Sequence, residues 1–176
     1  MNWGICQFVM NEKVYNYLGD DISDLRILLL DDSYGYIDDN NIPHINWGNE
    51  TEICDKDGFD KEYRPINGSA EYIIKDYIIP KGTMICRYGF LGGLFTTIKG
   101  AEYEYLGLPY VKESIEYHEF KVSEDLSVDC RVIKGKVAPK FNSEGGAVQF
   151  MHKQPVRLKC EDGYLQEDIS WRQQII

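Results

Sequence analysis

The chain has no long hydrophobic run. Its most apolar stretch, Ile27-Leu28-Leu29-Leu30, runs straight into Asp31-Asp32, far short of the ~20 apolar residues that a membrane span requires. The first residues, Met1-Asn2-Trp3-Gly4-Ile5-Cys6, offer neither a basic flank nor an apolar segment, so no signal peptide is visible. These absences predict a chain that is cytoplasmic or reaches a target cell by a leaderless route, with no membrane partner. Metal-binding patterns are missing as well. Cys6, Cys54, Cys86, Cys130 and Cys160 are far apart and form no CxxC pair, so no metal site is expected and the scatter reads as buried reduced thiols. Asp55–Glu62 superficially suggests an oxygen-ligand loop but lacks the spacing of a calcium-binding hand. No Walker loop, internal repeat or low-complexity linker occurs.

Positive charge is also scarce. Nineteen Lys and Arg face twenty-nine Asp and Glu, for a net charge of −10. Residues 1–74 carry 15 acidic and 5 basic side chains, whereas residues 75–176 carry 14 of each. Such a surface repels a phosphate backbone, which argues against a nucleic-acid partner. A small anionic substrate stays compatible, because one or two buried arginines outweigh a distant acidic face. The acidic segment itself reads either as solvated surface or as a docking face for a basic partner.

What is present suits a folded domain: 176 residues, 43% hydrophobic and 13% aromatic. Residues 12–30 hold the best helical pattern, with Asp21 or Ser23 as cap and Leu25, Leu28 and Leu29 near helical spacing. From 31 to 70 the chain is rich in turn formers, such as Asp38-Asp39-Asn40-Asn41. Short strands are then predicted at Glu71–Ile79, Thr83–Tyr88, Leu94–Ile98, Tyr103–Leu108, Glu116–Val122, Val132–Val137, Val148–Met151 and Val156–Cys160, with a last helix at Leu165–Gln174. The expected class is α+β and β-rich. Its core is a mostly antiparallel sheet or barrel-like unit with few short helices over residues 51–176, behind an acidic N-terminal extension over residues 1–50.

Three stretches carry chemistry. In Ile79–Phe95 an arginine, Arg87, ends a strand; Tyr88 follows it, then a glycine loop with Gly92 and Gly93, then Phe95. The guanidinium fork suits a phosphate, glycines let backbone approach a ligand, and the two aromatics can wall a flat ring. A plain strand–turn–strand with both rings in the core fits the same residues. In Glu116–Val122, alternation places Glu116, His118 and Phe120 on one face and Tyr117, Glu119 and Lys121 on the other. His118 reads as a structural histidine or a catalytic one. In Val137–Phe150, a Gly-Gly turn leads to Gln149, whose amide can hold a ribose hydroxyl or a water, or simply face solvent.

Taken together and in order, these stretches resemble the TNT (tuberculosis necrotizing toxin) family of NAD⁺ glycohydrolases. Lys56-Asp57-Gly58-Phe59 is similar to its Asn-Asp-Gly-Phe element, and Ile79–Gly89 to its Leu-Pro-x-Gly-Thr-x-x-x-Arg-Tyr/Phe-Gly stretch. Gly92–Phe95 resembles Gly-Gly-x-Phe, and Leu108-Pro109 with Tyr117–Val122 resembles Leu-Pro followed by Tyr-His-x-Tyr/Phe-x-Val. Ala138–Phe150 aligns without gaps to an Ala-Pro-Trp-Phe-Gly-Gln-Pro-Gly-Gly-Gly-x-Gln-Tyr block, so the resemblance spans about residues 52–160. It implies hydrolysis of NAD⁺ to nicotinamide and ADP-ribose, with NAD⁺ as substrate, no separate cofactor, and an immunity protein as partner. By the same resemblance, Arg87 holds phosphates, Tyr88, Phe95, Gly92 and Gly93 line the substrate, and His118 and Gln149 serve catalysis. Three departures stand out: Leu106 replaces a second family arginine, Lys140 the family tryptophan, and Glu144 the proline before the glycines. Lys99, Lys112 and Lys140 are the cations that could replace the lost arginine. ADP-ribosyl transfer to a protein, and a catalytically weak partner-binding module, are the alternative readings.

Overall fold

The alternating apolar residues between Ile74 and Asp168 fold into a seven-stranded antiparallel sheet. The computed structural model describes residues 13–61, 65–66, 69–70, 73–124 and 128–175. Two small ribbons come first: β1 (Gly35–Ile37) with β2 (Pro43–Ile45), and β3 (Pro65–Ile66) with β4 (Ser69–Ala70). The main sheet contains β5 (Ile74–Tyr77), β6 (Met84–Tyr88), β7 (Phe95–Ile98), β8 (Tyr117–Val122), β9 (Val132–Lys136), β10 (Val148–Met151) and β11 (Leu165–Asp168). Their order across it is β11-β8-β6-β7-β10-β9-β5. A six-residue helix, α1 (Val156–Glu161), lies between β10 and β11. The expected β-rich, mostly antiparallel α+β class is the one observed. Among the described residues no helix is long and apolar enough to cross a membrane.

Pleating gives the sheet two faces with different neighbours. Ile85, Phe120, Val122, Val132, Phe150 and Leu165 form the main core with Val156 and Cys160 of α1. Phe120 and Ile85 are fully buried opposite each other, in register across β8 and β6. On the other face Cys86 and Tyr117 pack with Trp171, Tyr15, Tyr17 and Tyr88. Residues 27–45 pack beside them: Ile27 joins Tyr110 and Ile115, with Leu29, Ile37 and Ile45 against that cluster.

Four local expectations are corrected. Residues 13–30 are turns and a bridge between Tyr15 and Asp21, not a helix. Asp21 caps only its own turn, accepting from the Ser23 amide at 3.0 Å. The backbone of 28–30 pairs across the chain instead, with Leu30 N donating to Pro109 O and Val111 N to Leu28 O, both at 2.8 Å. Once tertiary partners take those groups, an i→i−4 ladder cannot form. Tyr103–Leu108 is not a strand: Tyr103–Tyr105 is a 3₁₀ turn whose Tyr103 hydroxyl donates to Tyr110 O at 2.6 Å. Val156–Cys160 is helical, because Val156 N and Arg157 N find the carbonyls of Gly93 and Leu91 at its start. That spacing buries Val156, Lys159 and Cys160 on one side. Finally, Leu165–Asp168 is a strand paired with β8, and only Ser170–Ile175 coils, as 3₁₀ helix. Part of one more expected strand, at Glu71 and Tyr72, lies outside the described residues.

Candidate active site

Register sets out the site. Met151 faces Phe95 across β10 and β7, and alternation puts Gln149 on the same side of the sheet. Cys86 faces Thr97 across β6 and β7, which places Tyr88 on that face too. Above these side chains opens a cavity of 530 Å³, within the ordinary range for small-molecule sites. Its walls come from Trp47–Asn49, Asp55–Gly58, Leu106–Leu108, Ala138 and Lys140, and from Gly89, Phe90, Gly93 and Leu94 with Arg87 near the end of β6.

Arg87 is held rather than loose. Its Nε donates to Phe90 O at 2.6 Å and its Nη1 to Phe95 O at 2.9 Å. Nη2 lies against Gly93, where a Cβ would fall 1.9 Å from it. Gly93 is therefore needed as glycine to admit the guanidinium. Burial lowers the Arg87 pKa to about 10, with Glu116 opposing the drop, so the side chain stays cationic at neutral pH. Gln149 is half-buried, and its Nε2 donates to Asp57 O at 3.4 Å. That bond orients the amide, whose oxygen keeps its capacity to accept. Asp55 uses its carboxylate on the amides of Asp57 and Phe59, at 2.8 and 2.9 Å. The Asp-Gly-Phe element is thus a self-capped turn, and its Phe59 is fully buried against Gly135.

His118 stands elsewhere. It sits directly across from Arg87 in the β6–β8 register but does not line the cavity. Its Nδ1 is 2.7 Å from Glu167 Oε1, and its Nε2 is 3.5 Å from Glu116 Oε2. Burial opposes its charged form, but the two neighbouring carboxylates win and raise its pKa to about 9. A buried imidazolium between two carboxylates is an electrostatic post, not a free base. Arg172 completes the group, with Nη2 3.9 Å from Glu167. Burial pushes the Cys86 thiol up to about 12, and alternation puts it on the sheet face opposite His118, so the two form no nucleophile pair.

Of the residues expected at the site, Arg87, Tyr88, Gly93, Phe95 and Gln149 border one cavity, while Gly92 and His118 do not. Leu106 lines it as an apolar wall. Lys140 is also there. Lys99 instead pairs with Glu119 at 3.3 Å, and Lys112 lies 3.8 Å above the Tyr17 ring. Trp47, Tyr110 and Met151 are lining residues that sequence reasoning did not find. Trp47 precedes a loop glycine in a segment read as surface, which offered no signal. Glu116 was visible two residues before His118, but Glu167 was hidden inside an expected helix.

No curated protein matches the chain. A solved structure of tuberculosis necrotizing toxin complexed with its immunity factor is 18% identical, with a TM-score of 0.47, covering 88% of this chain and 90% of that one. The family model described as tuberculosis necrotizing toxin matches residues 78–167, from just after β5 into β11 and therefore across Arg87, Phe95, His118 and Gln149. With that match over half its length, the chain belongs to the tuberculosis necrotizing toxin family of toxin-type domains.

Proposed function

We propose that this domain is an NAD⁺ glycohydrolase, cleaving the bond between nicotinamide and ribose. The observation that carries the reading is the pinned Arg87 beside Tyr88, Phe95 and Gln149 on one cavity. A fixed guanidinium recognises pyrophosphate oxygens with little reorganisation. The two aromatic faces receive the nicotinamide ring, and the Gln149 amide addresses the adjoining ribose.

In this reading the C1′–N bond breaks with its electron pair leaving on the pyridinium nitrogen, so nicotinamide departs neutral. No strong acid is needed. The barrier is the oxocarbenium-like ribose, which fixed dipoles stabilise better than mobile water does. Water then adds to C1′ and releases its proton to solvent, giving ADP-ribose. Arg87 holds the phosphate end, the rings hold the leaving group, and Gln149 orients the ribose diol or the attacking water. His118 acts from behind, its charge balanced by Glu116 and Glu167 while Glu116 also attracts Arg87. An enzyme that consumes NAD⁺ endangers its own producer, so an immunity protein blocking this cavity belongs to the same proposal.

The test is nicotinamide release from NAD⁺ by the purified chain, with Gln149→Ala as comparison. Release by the wild type and its loss in the variant, with an unchanged melting temperature, are expected. Full turnover by Gln149→Ala removes Gln149 from the chemistry, and an inert wild type overturns the proposal.

A further inference from the structure

The cavity carries a second aromatic surface, separate from Tyr88 and Phe95. Trp47 stands on a loop, not on the sheet, and lines the cavity with 47% of its surface exposed. A half-exposed indole at a cavity wall offers a stacking surface. It is built in rather than left dangling. Its edge meets the Phe141 ring at 5.7 Å and 72°, and Phe141 meets Tyr34 at 4.9 Å. Asn46 N, next to it in the chain, donates to Tyr34 O at 2.9 Å. Phe141 itself holds a positive φ of 52°, kept there by reciprocal backbone bonds between Lys140 and Ser143. A strained backbone that presents an aromatic prop to Trp47 signals a position fixed by its surroundings.

Cations stand on the same walls. Lys140 precedes Phe141, and Lys56 also lines the cavity. The cavity thus presents ring surfaces from different parts of the chain, with Arg87 beside Tyr88 and Lys140 beside the Phe141 ring that props Trp47. A dinucleotide has two flat ring systems joined by a charged pyrophosphate, and the pattern matches it.

We infer that Trp47 is the stacking partner of the adenine ring, so the N-terminal segment supplies part of the substrate site. This rests on the reading of the cavity as an NAD⁺ site. The segment is then more than a surface extension, since removing it removes one ring platform. Trp47 sets affinity for the adenosine half and takes no part in bond breaking.

The experiment compares wild type, Trp47→Ala and Trp47→Phe in the full-length chain. Nicotinamide release is measured from NAD⁺ and from nicotinamide mononucleotide, which lacks the adenosine half, and AMP binding is measured by calorimetry. Expected for Trp47→Ala is a KM for NAD⁺ raised about tenfold with kcat nearly unchanged, the scale of losing one base-stacking contact. AMP affinity falls in parallel, kinetics on nicotinamide mononucleotide do not change, and Trp47→Phe recovers most of the loss. An unchanged KM for NAD⁺ in Trp47→Ala overturns the inference and leaves the proposed activity standing. If the wild type releases no nicotinamide, the proposed activity falls, and AMP binding decides alone. Binding lost in Trp47→Ala upholds the adenine platform, and no AMP binding by the wild type overturns it.

Discussion

The Nη2 of Arg87 occupies the space that a side chain on Gly93 would need, 1.9 Å from the ideal Cβ position. The glycine loop and the guanidinium are thus one device. Gly93→Ala is expected to evict Arg87 and raise the KM for NAD⁺ about tenfold or more, the scale of a lost charge-assisted hydrogen bond. Gly92→Ala, with nothing within 4 Å of its Cβ, is the matched control and stays near wild type. Equal effects from both substitutions would show that the loop backbone matters and the Arg87 seat does not.

Arg87→Lys keeps the charge but loses the fork that donates to Phe90 and Phe95. Two carbonyls, one exposed and one part-buried, then lose a charged donor, which costs stability of about 1–3 kcal/mol. Thermal melting should report that loss, and nicotinamide release should fall with it. A lysine variant with wild-type KM and melting temperature would mean that a point charge suffices.

The two buried histidines give stability opposite pH limbs. His118, raised from 6.5 to about 9, contributes fully below pH 6.5 and loses its contribution as pH rises through 9. Burial lowers His152 from 6.5 to about 3, so its contribution is intact above pH 6.5 and declines as pH falls toward 3. Between them they place the stability maximum near pH 6.5. Melting temperatures across pH 4.5 to 9.5 test this, and His152→Gln is expected to flatten the slope from 6.5 down to 4.5, where most carboxylates are still ionised. An unaltered acid slope in that variant rules out His152 as its cause.

Gly135 on β9 admits the Phe59 ring, whose Cδ1 lies 2.5 Å from where a Cβ would stand. Gly135→Ala overpacks that contact and is expected to cost about 1–3 kcal/mol in chemical denaturation. Because Phe59 follows the Asp55–Gly58 turn along the cavity, catalytic efficiency should fall as well. A neutral substitution would mean that Phe59 has room to retreat.

Much was legible in the linear chain. Strand alternation read β6, β7, β8 and β10 nearly to the residue, because each lies half in a core and half against a covered face. The motifs around Arg87, Phe95 and Gln149 were also legible, since their spacing is local and glycine punctuates it. What tertiary structure alone decided was whatever depends on partners distant in sequence. Leu28 and Leu30 hydrogen-bond to 109–111 and cannot coil, and Val156 becomes helical because Gly93 and Leu91 accept its first amides. His118 is charged and set behind the cavity because Glu167 arrives from β11. Trp47 reaches the cavity because its loop folds over Phe141. Local propensities amount to tenths of a kcal/mol per residue, and a buried hydrogen bond or ion pair outweighs them, so the long-range contacts set these positions.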